Sequence, residues 1–167
     1  MPNFPDAEAL LDRLVEQIAP HVTDRTALVG IHTGGAWLAE RLHGALNIQP
    51  PLGAIDVAFY RDDYGARSLH PQLRRSDIPF DMHDSPVILV DDVLFTGRTT
   101  RAALNELFDY GRPARIDLAV LVDRGERELP IAPRFCAHTL PAPLGKGQRL
   151  RLEKSDDATL SLRLIDV

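Results

Sequence analysis

The sequence predicts one α/β domain over residues 1–167, with a parallel central sheet flanked by helices. Three observations indicate this class. A short apolar run at residues 27–31 leads through a glycine-bearing polar turn into a helical pattern. A second apolar run, at residues 86–90, leads in the same way through a polar loop into a helix, and a third at residues 116–122 ends in polar residues. Alternating strands and helices of this kind are typical of parallel sheets.

The elements follow in chain order. Apolar residues at helical spacing predict a first helix over residues 6–19, which Pro20 ends. After the strand at residues 27–31, a second helix is predicted from the residues on one of its sides: Trp37, Leu38, Leu42 and Leu46. Alternation at residues 55–59 predicts a strand with one wetter face.

Residues 62–85 show no regular period and contain glycine, proline and arginine, which is typical of a flap loop or hairpin over a binding site. The helix after residues 86–90 is predicted to begin at about Thr99 and to end before Gly111. Two alternating runs, at residues 150–152 and 160–164, predict a small peripheral C-terminal hairpin.

Composition narrows the class of protein. Hydrophobic residues make up 44% and charged residues 26%, ordinary values for a globular chain, so a disordered or fibrous protein is excluded. No apolar run approaches the ~20 residues of a spanning helix, and the N-terminus lacks the build of a secretion signal, so we expect a cytoplasmic protein without a membrane partner. The net charge of −5 argues against nucleic-acid binding over the whole surface and leaves room for a local basic face.

The loop after residues 86–90 carries the most informative chemistry. Its residues Thr96, Gly97, Arg98, Thr99 and Thr100 place glycine, hydroxyls and a guanidinium at a helix start, where unpaired N–H groups and the helix dipole favour an anion. This pattern suits a phosphate monoester. The alternative is a helix cap with spare threonines.

Asp91 and Asp92 stand side by side at the end of the same strand. Adjacent carboxylates repel each other, and they become useful where they accept hydrogen bonds from vicinal hydroxyls or lie near a divalent cation. A sugar phosphate meets both demands. The alternative is a solvated junction between strand and loop.

Other phosphate-handling folds fit poorly. A haloacid-dehalogenase-type phosphatase needs an acid where Val93 stands, and a P-loop needs a lysine after its glycine, whereas the chain has lysine only at positions 146 and 154. A receiver domain places its acidic pair after the first strand, whereas this pair follows a middle strand.

Residues 87–99 resemble the phosphoribosyl-pyrophosphate signature of type I phosphoribosyltransferases. Further matches at residues 29–35, 59–63, 111–113 and 121–130 resemble the branch that combines uracil phosphoribosyltransferase activity with attenuation of pyrimidine operons. The resemblance is good over residues 28–130. It implies an enzyme that converts uracil and phosphoribosyl pyrophosphate to UMP and pyrophosphate, with Mg²⁺ carried by the pyrophosphate and no direct protein ligand to the metal.

The resemblance also implies residue roles. Asp91 and Asp92 would hold the ribose hydroxyls, Thr33 and Gly34 the pyrophosphate, and the backbone of Val122 and Arg124 would face uracil. Arg61 or Arg67 would help to close the flap. The remaining expected substrate contacts lie in the signature loop: Val93, Leu94, Phe95, Thr96, Gly97, Arg98, Thr99 and Thr100.

Two features concern a second function, nucleotide-dependent binding of pyrimidine-operon leader RNA. Regulatory members resemble Lys-Thr-Arg-Gly in the first loop, whereas this chain has His32-Thr33-Gly34-Gly35, which removes a guanidinium that could bind pyrophosphate. An RNA-binding sensor with vestigial catalysis is therefore the alternative function. Its candidate basic cluster is Lys146, Arg149 and Arg151, with Arg134 next to it; these residues could equally be solvated charges. We expect a homo-oligomer, a dimer or larger.

Overall fold

Five parallel strands and three helices form the core of the protein in the computed structural model, which describes residues 4–57 and 76–167. The helices are α1 (Ala7–Ile18), α2 (Gly34–Ala45) and α3 (Arg98–Phe108), and a 3₁₀ turn, Ala19–His21, follows α1. The sheet strands are β1 (Ala27–Ile31), β2 (Gly53–Ile55), β3 (Pro86–Leu94), β4 (Arg115–Asp123) and β5 (Phe135–Thr139). Strands β6 (Gln148–Lys154) and β7 (Leu160–Asp166) form a separate antiparallel hairpin.

The sheet has the strand order β2-β1-β3-β4-β5, and each neighbouring pair is parallel. The first strand in the chain is thus next to both the second and the third, and α2 and α3 form the connections from β1 to β2 and from β3 to β4 across the faces of the sheet. The predicted parallel sheet and the predicted C-terminal hairpin are both confirmed. The carboxyl ends of β1, β3 and β4 lie side by side, which is where ligands bind in open parallel sheets.

Two strand boundaries differ from the sequence prediction. Strand β3 continues through the acidic pair to Leu94, because its ladder with β4 continues as far as Leu94 and Asp123. Strand β2 covers residues 53–55 rather than 55–59, since its partner β1 ends at Ile31, which pairs with Ile55. Residues 58 and 59 lie outside the described residues.

The sheet separates two apolar layers. On one face, α1 and α2 pack against the side chains of Leu28, Ile88 and Leu121. On the other face, Ala103 and Leu107 of α3 pack against the alternate residues of the same strands. Three leucines of the hairpin join the first layer, namely Leu150, Leu152 and Leu160. The hairpin is therefore anchored by burial of apolar surface.

Glu8 ties the hairpin to the helical layer. Its carboxylate accepts two hydrogen bonds from Arg41 of α2, at 3.1 and 2.6 Å, and one from the N–H of Leu160, at 2.8 Å. The hydrogen bond from Arg41 is the main reason that the pKa of Glu8 lies below its ordinary value.

In the described residues, no helix is both long enough and apolar enough to cross a membrane.

Candidate active site at the carboxyl edge of the sheet

The acidic pair lies at the wall of a cavity of about 700 Å³ at the carboxyl edge of the sheet. Asp91 is buried, with 4% of its surface exposed, and its Oδ1 accepts the N–H of Asp92 at 2.9 Å. Asp92 in turn accepts the N–H of Val93 at 2.8 Å. Each carboxylate uses one oxygen on the neighbouring backbone, so the pair is held in place at the cavity wall.

The start of α2 packs directly against the two acids. A Cβ on Gly34 would lie 2.7 Å from Cγ of Asp92, and a Cβ on Gly35 would lie 3.0 Å from Cα of Asp91. The structure thus brings Gly34 beside the acidic pair, as the predicted roles require. A Cβ at position 34 would press against the Asp92 carboxylate, so a side chain there requires that carboxylate to shift. The peptide bond between His32 and Thr33, just before this helix, is cis.

The loop from Phe95 to Thr100 forms the next wall of the site. Gly97 has φ +94°, a left-handed conformation that glycine adopts without strain, and α3 begins at Arg98. The Thr96 hydroxyl accepts the N–H of Arg98 at 3.2 Å, which orders the turn before the helix. Thr99 lines the cavity. The first turn of α3 therefore directs N–H groups toward the region where an anion would bind.

Three residues of this loop are placed differently from Thr99. Thr100 is buried, and its hydroxyl has no hydrogen-bond partner among residues 4–57 and 76–167. Thr96 is also buried. The Arg98 guanidinium forms an exposed ion pair with Glu128, with Nε at 2.7 Å from the carboxylate. The Thr96 and Arg98 side chains thus bind other parts of the protein, whereas the Thr100 hydroxyl is left without a partner among the described residues.

Arg124 forms the third wall. Its guanidinium carbon lies 3.6 Å from the centre of the Phe95 ring, and its Nη2 donates to Glu126 at 3.2 Å. The side chain is only 10% exposed, and its Nε has no hydrogen-bond partner in the described parts of the chain. A buried, unsatisfied donor in a stacked pair is suited to a ligand that offers a carbonyl oxygen and a planar ring.

Asp123, next to Arg124, forms a two-point ion pair with Arg127 at 2.9 and 2.7 Å. Burial raises the pKa of the Asp123 carboxyl, but the hydrogen bonds from Arg127 and Gly125 and the charge of Arg127 outweigh burial, so its pKa lies below the ordinary value of 3.8. Sequence reasoning assigned no role to Arg127. The sequence signal for this residue was an Asp and an Arg four residues apart at the end of a strand. That spacing does not show which backbone carbonyls the arginine also binds.

The structure brings many of the predicted site residues together. Those that line the cavity are Asp91, Asp92, Val93, Phe95, Thr99, Arg124, Lys146, Arg149 and Arg151. Val122 and Leu94 are buried near the ends of β4 and β3, where Val122 pairs with Val93 and Leu94 pairs with Asp123; neither lines the cavity. Arg61, Arg67 and most of the predicted flap lie outside the described residues.

The basic cluster proves to share the cavity with the acids. Lys146, Arg149 and Arg151 lie on β6 and the segment before it, across from Asp91 and Asp92. Arg134 is not part of this cluster: it lies near the start of β4, where its Nη1 donates to Asp117 at 2.8 Å. The distance between the two ends of a nine-residue strand separates them.

The chain matches the phosphoribosyl transferase domain family over residues 3–137. It belongs to this family. This phosphoribosyltransferase is 49% identical to the "Bifunctional protein PyrR" of Pseudomonas paraeruginosa over 90% of its own length and 89% of the relative's. It is 46% identical to the protein of the same name from Nitrosococcus oceani, over 92% and 86% of the two chains. The predicted resemblance is confirmed, and the chain belongs to the PyrR branch of the family.

Solved structures agree on the fold. A purine phosphoribosyltransferase from Pyrococcus horikoshii superposes with a TM-score of 0.61 and 26% identity, over 82% of this chain and 84% of that one. A hypoxanthine-guanine phosphoribosyltransferase from Bacillus anthracis superposes with a TM-score of 0.66, over 84% and 85% of the two chains. At 16% identity, the second likeness concerns the fold alone.

Proposed function

We propose that this phosphoribosyltransferase joins uracil to phosphoribosyl pyrophosphate and releases UMP and pyrophosphate. The observation that carries the proposal is the single cavity shared by Asp91 and Asp92, the start of α3 and Arg124. These groups offer acceptors for a diol, donors for a phosphate, and a stacked guanidinium for a planar base. Membership of the PyrR branch supports the same activity.

The residues suit a substitution at the anomeric carbon. A ring nitrogen of uracil forms the new bond to that carbon and loses its proton, while the bond to the pyrophosphate oxygen breaks and pyrophosphate leaves with the electron pair. Asp91 and Asp92 hold the ribose hydroxyls and lie close enough to stabilise positive charge that develops on the sugar ring. The start of α3 holds the 5-phosphate, and Thr33 and Gly34 bind the leaving pyrophosphate. The protein contributes positioning and electrostatic stabilisation and forms no covalent intermediate with the substrate.

We infer that magnesium would come to this site with the pyrophosphate of the substrate. In the described residues, no group of three or more His, Cys, Asp or Glu side chains is arranged to hold a metal. Mg²⁺ keeps several oxygen ligands from substrate phosphates and water, so Asp91 and Asp92 would lie beside the ion without enclosing it. When bound, the ion neutralises charge on the pyrophosphate as it departs.

A turnover assay tests this function. Purified protein, uracil, phosphoribosyl pyrophosphate and Mg²⁺ are expected to yield UMP, measured by chromatography, and omission of any one component is expected to abolish product. Guanine or hypoxanthine in place of uracil serves as the matched control for base choice. Absence of UMP from folded protein would contradict the enzymatic function and favour the alternative, a sensor with vestigial catalysis.

We also propose a second function, binding of pyrimidine-operon leader RNA controlled by a nucleotide. The relatives are named as bifunctional, and Lys146, Arg149 and Arg151 form a basic cluster next to the nucleotide site. Because the chain has a net charge of −5, affinity for a polyanion must come from such a local cluster. Because the basic cluster and the proposed nucleotide share one cavity, a bound nucleotide would change the affinity of the protein for RNA.

A salt series tests the RNA function. Leader-RNA affinity is measured with and without UMP for the parent and for the double variant Lys146→Ala, Arg149→Ala. Each lost phosphate contact is expected to lower the slope of log affinity against log salt by ~0.7 for single-stranded RNA. Equal slopes and affinities in the two proteins would contradict RNA binding by this cluster, and the enzymatic function would be the only one supported. The homo-oligomer and the cytoplasmic location stay predictions.

A further inference from the structure

The Arg127 guanidinium joins three separate segments of the active-site edge. Besides the two hydrogen bonds to Asp123, its Nη1 donates to the carbonyl of Phe95 at 2.8 Å and its Nε donates to the carbonyl of Ile131, also at 2.8 Å. One planar side chain thus makes four hydrogen bonds with three partners. The rigid geometry of a guanidinium allows this, whereas a lysine ammonium does not offer donors in that arrangement.

Burial makes these contacts strong. The Arg127 side chain is 22% exposed and the Asp123 side chain 13%, so both ends of the ion pair are largely screened from water. Paired, charge-assisted hydrogen bonds in such surroundings are shorter and stronger than neutral ones. The Oδ1 atom of Asp123 also accepts the N–H of Gly125 at 2.9 Å, which further fixes the carboxylate.

The partners of Arg127 belong to two different parts of the proposed site. Phe95 opens the loop that binds phosphate at the start of α3. Asp123 stands between Val122 and Arg124, the residues assigned to the base. Backbone hydrogen bonds follow the same junction, from Arg124 to the Leu94 carbonyl at 3.0 Å and from Glu128 to the Thr96 carbonyl at 2.9 Å.

From this geometry we propose that Arg127 is a positioning residue, which fixes the separation between the phosphate-binding loop and the base-binding loop. The inference rests on the proposed function, because that function assigns the two loops to the two ends of one nucleotide. Arg127 does not line the cavity in which the proposed ligand would bind. Its effect is to hold both loops at the spacing that UMP requires before the ligand arrives, which removes an ordering cost from binding.

This role has a consequence that a general contribution to stability lacks. UMP contacts both loops, so its affinity depends on their separation. Ribose 5-phosphate contacts the acidic pair and the phosphate loop but has no base, so its affinity depends on one loop only. Loss of Arg127 is expected to weaken UMP much more than ribose 5-phosphate.

The experiment compares the full-length parent with Arg127→Met and Arg127→Lys. Methionine keeps the bulk of the side chain and removes all four hydrogen bonds, and lysine keeps the charge near Asp123. Arg134→Met is the matched control, because Arg134 also pairs with an aspartate of β4, Asp117, at the opposite end of the strand. Calorimetric titration with UMP and with ribose 5-phosphate is carried out well below the thermal midpoint of each variant.

We expect Arg127→Met to weaken UMP by about tenfold and ribose 5-phosphate by less than about threefold, as loss of two or more charge-assisted hydrogen bonds predicts. Arg127→Lys is expected to fall between parent and Arg127→Met, and Arg134→Met to leave both affinities unchanged. If Arg127→Met does not fold, the ratio of the two affinities in Arg127→Lys decides. A UMP affinity equal to that of the parent, or equal losses for both ligands, would overturn the proposal. A parent that binds UMP without turnover would contradict only the enzymatic function, whereas a parent that does not bind UMP would overturn both.

Discussion

The two edges of the sheet treat buried polar groups differently. At the amino edge, Thr26 is buried, and its hydroxyl accepts the N–H of Thr23 at 2.9 Å and lies 3.3 Å from the Thr23 hydroxyl. At the carboxyl edge, Thr100 is equally buried, yet its hydroxyl has no partner among the described residues. The buried hydroxyl at the amino edge is thus hydrogen-bonded to a neighbouring residue, whereas the one at the carboxyl edge is not. An unpaired hydroxyl is expected where a ligand completes the hydrogen bonding.

The ion pairs of strand β4 repeat this contrast. Asp117, near the start of the strand, is shared by Arg115 and Arg134, whose side chains are 57% and 35% exposed. Asp123, at its end, pairs with the 22% exposed Arg127, which also binds two backbone carbonyls. Exposed pairs contribute little because water screens them. The pair of Asp123 and Arg127 is less exposed and has more hydrogen-bond partners, so it holds its neighbouring segments more firmly than the exposed pairs of Asp117 do.

The largest effect on activity is expected for substitutions of the acidic pair, Asp91 and Asp92. Asp91→Asn and Asp92→Asn are each expected to lower kcat/KM for phosphoribosyl pyrophosphate roughly a hundredfold, since a charge-assisted hydrogen bond to the sugar is lost. Asparagine keeps an acceptor for the neighbouring N–H, so the free energy of unfolding should change by less than about 1 kcal/mol. Steady-state kinetics and urea unfolding measure the two effects. Full activity in either variant would make that acid structural.

Two glycines of α2, Gly34 and Gly44, allow a crowded and an open position of the same helix to be compared. Gly34→Ala is expected to lower kcat/KM at least about tenfold, because the new Cβ displaces the Asp92 carboxylate from its position. The control is Gly44→Ala on the same helix, where no atom lies within 4 Å of the new Cβ. That change should leave kcat/KM unaltered and raise the free energy of unfolding by about 0.5–1 kcal/mol. Equal activities in the two variants would show that position 34 tolerates a side chain.

A smaller effect is expected for Thr99, which lines the cavity. Thr99→Val should weaken phosphoribosyl-pyrophosphate binding about threefold to tenfold in a calorimetric titration, through loss of one hydroxyl hydrogen bond. Thr26→Val, at the opposite edge, is the control. It should lower the free energy of unfolding by about 1 kcal/mol and leave the affinity unchanged. An unaltered affinity in Thr99→Val would contradict its role in binding the substrate.

The smallest effect expected is a change in how the free energy of unfolding depends on pH. The pKa of Asp123 in the folded protein lies below its ordinary value of 3.8. The pair with Arg127 therefore stabilises the fold above that value, and the contribution is lost as the pH falls toward the lower folded pKa. Urea unfolding between pH 6 and pH 3 should show a steeper loss of stability for the parent than for Asp123→Asn. Parallel curves would show that the ion pair does not couple folding to protonation.

Local patterns were enough to select the segments that form the candidate site. The apolar run of β3, the two acids that follow and the helix start at Thr99 lie within about fifteen residues. Their chemistry depends on neighbours in the chain, so the acidic pair and the phosphate loop could be located from the sequence. Strand β3 still extended further than predicted, because pairing with β4 supplied hydrogen bonds that the polar residues alone did not indicate.

The sequence by itself determined the parallel sheet, the order of its elements and the edge at which we expect a ligand, because these follow from periodicity and from loop chemistry within short segments. Only the tertiary structure decided which distant residues meet. It placed Lys146 and Arg149 across from the acidic pair, moved Arg134 away from them, and gave Arg127 its carbonyl partners at Phe95 and Ile131. The physical reason is that such contacts depend on how several strand ends and loops pack together, and no periodicity in the chain encodes the distance between them.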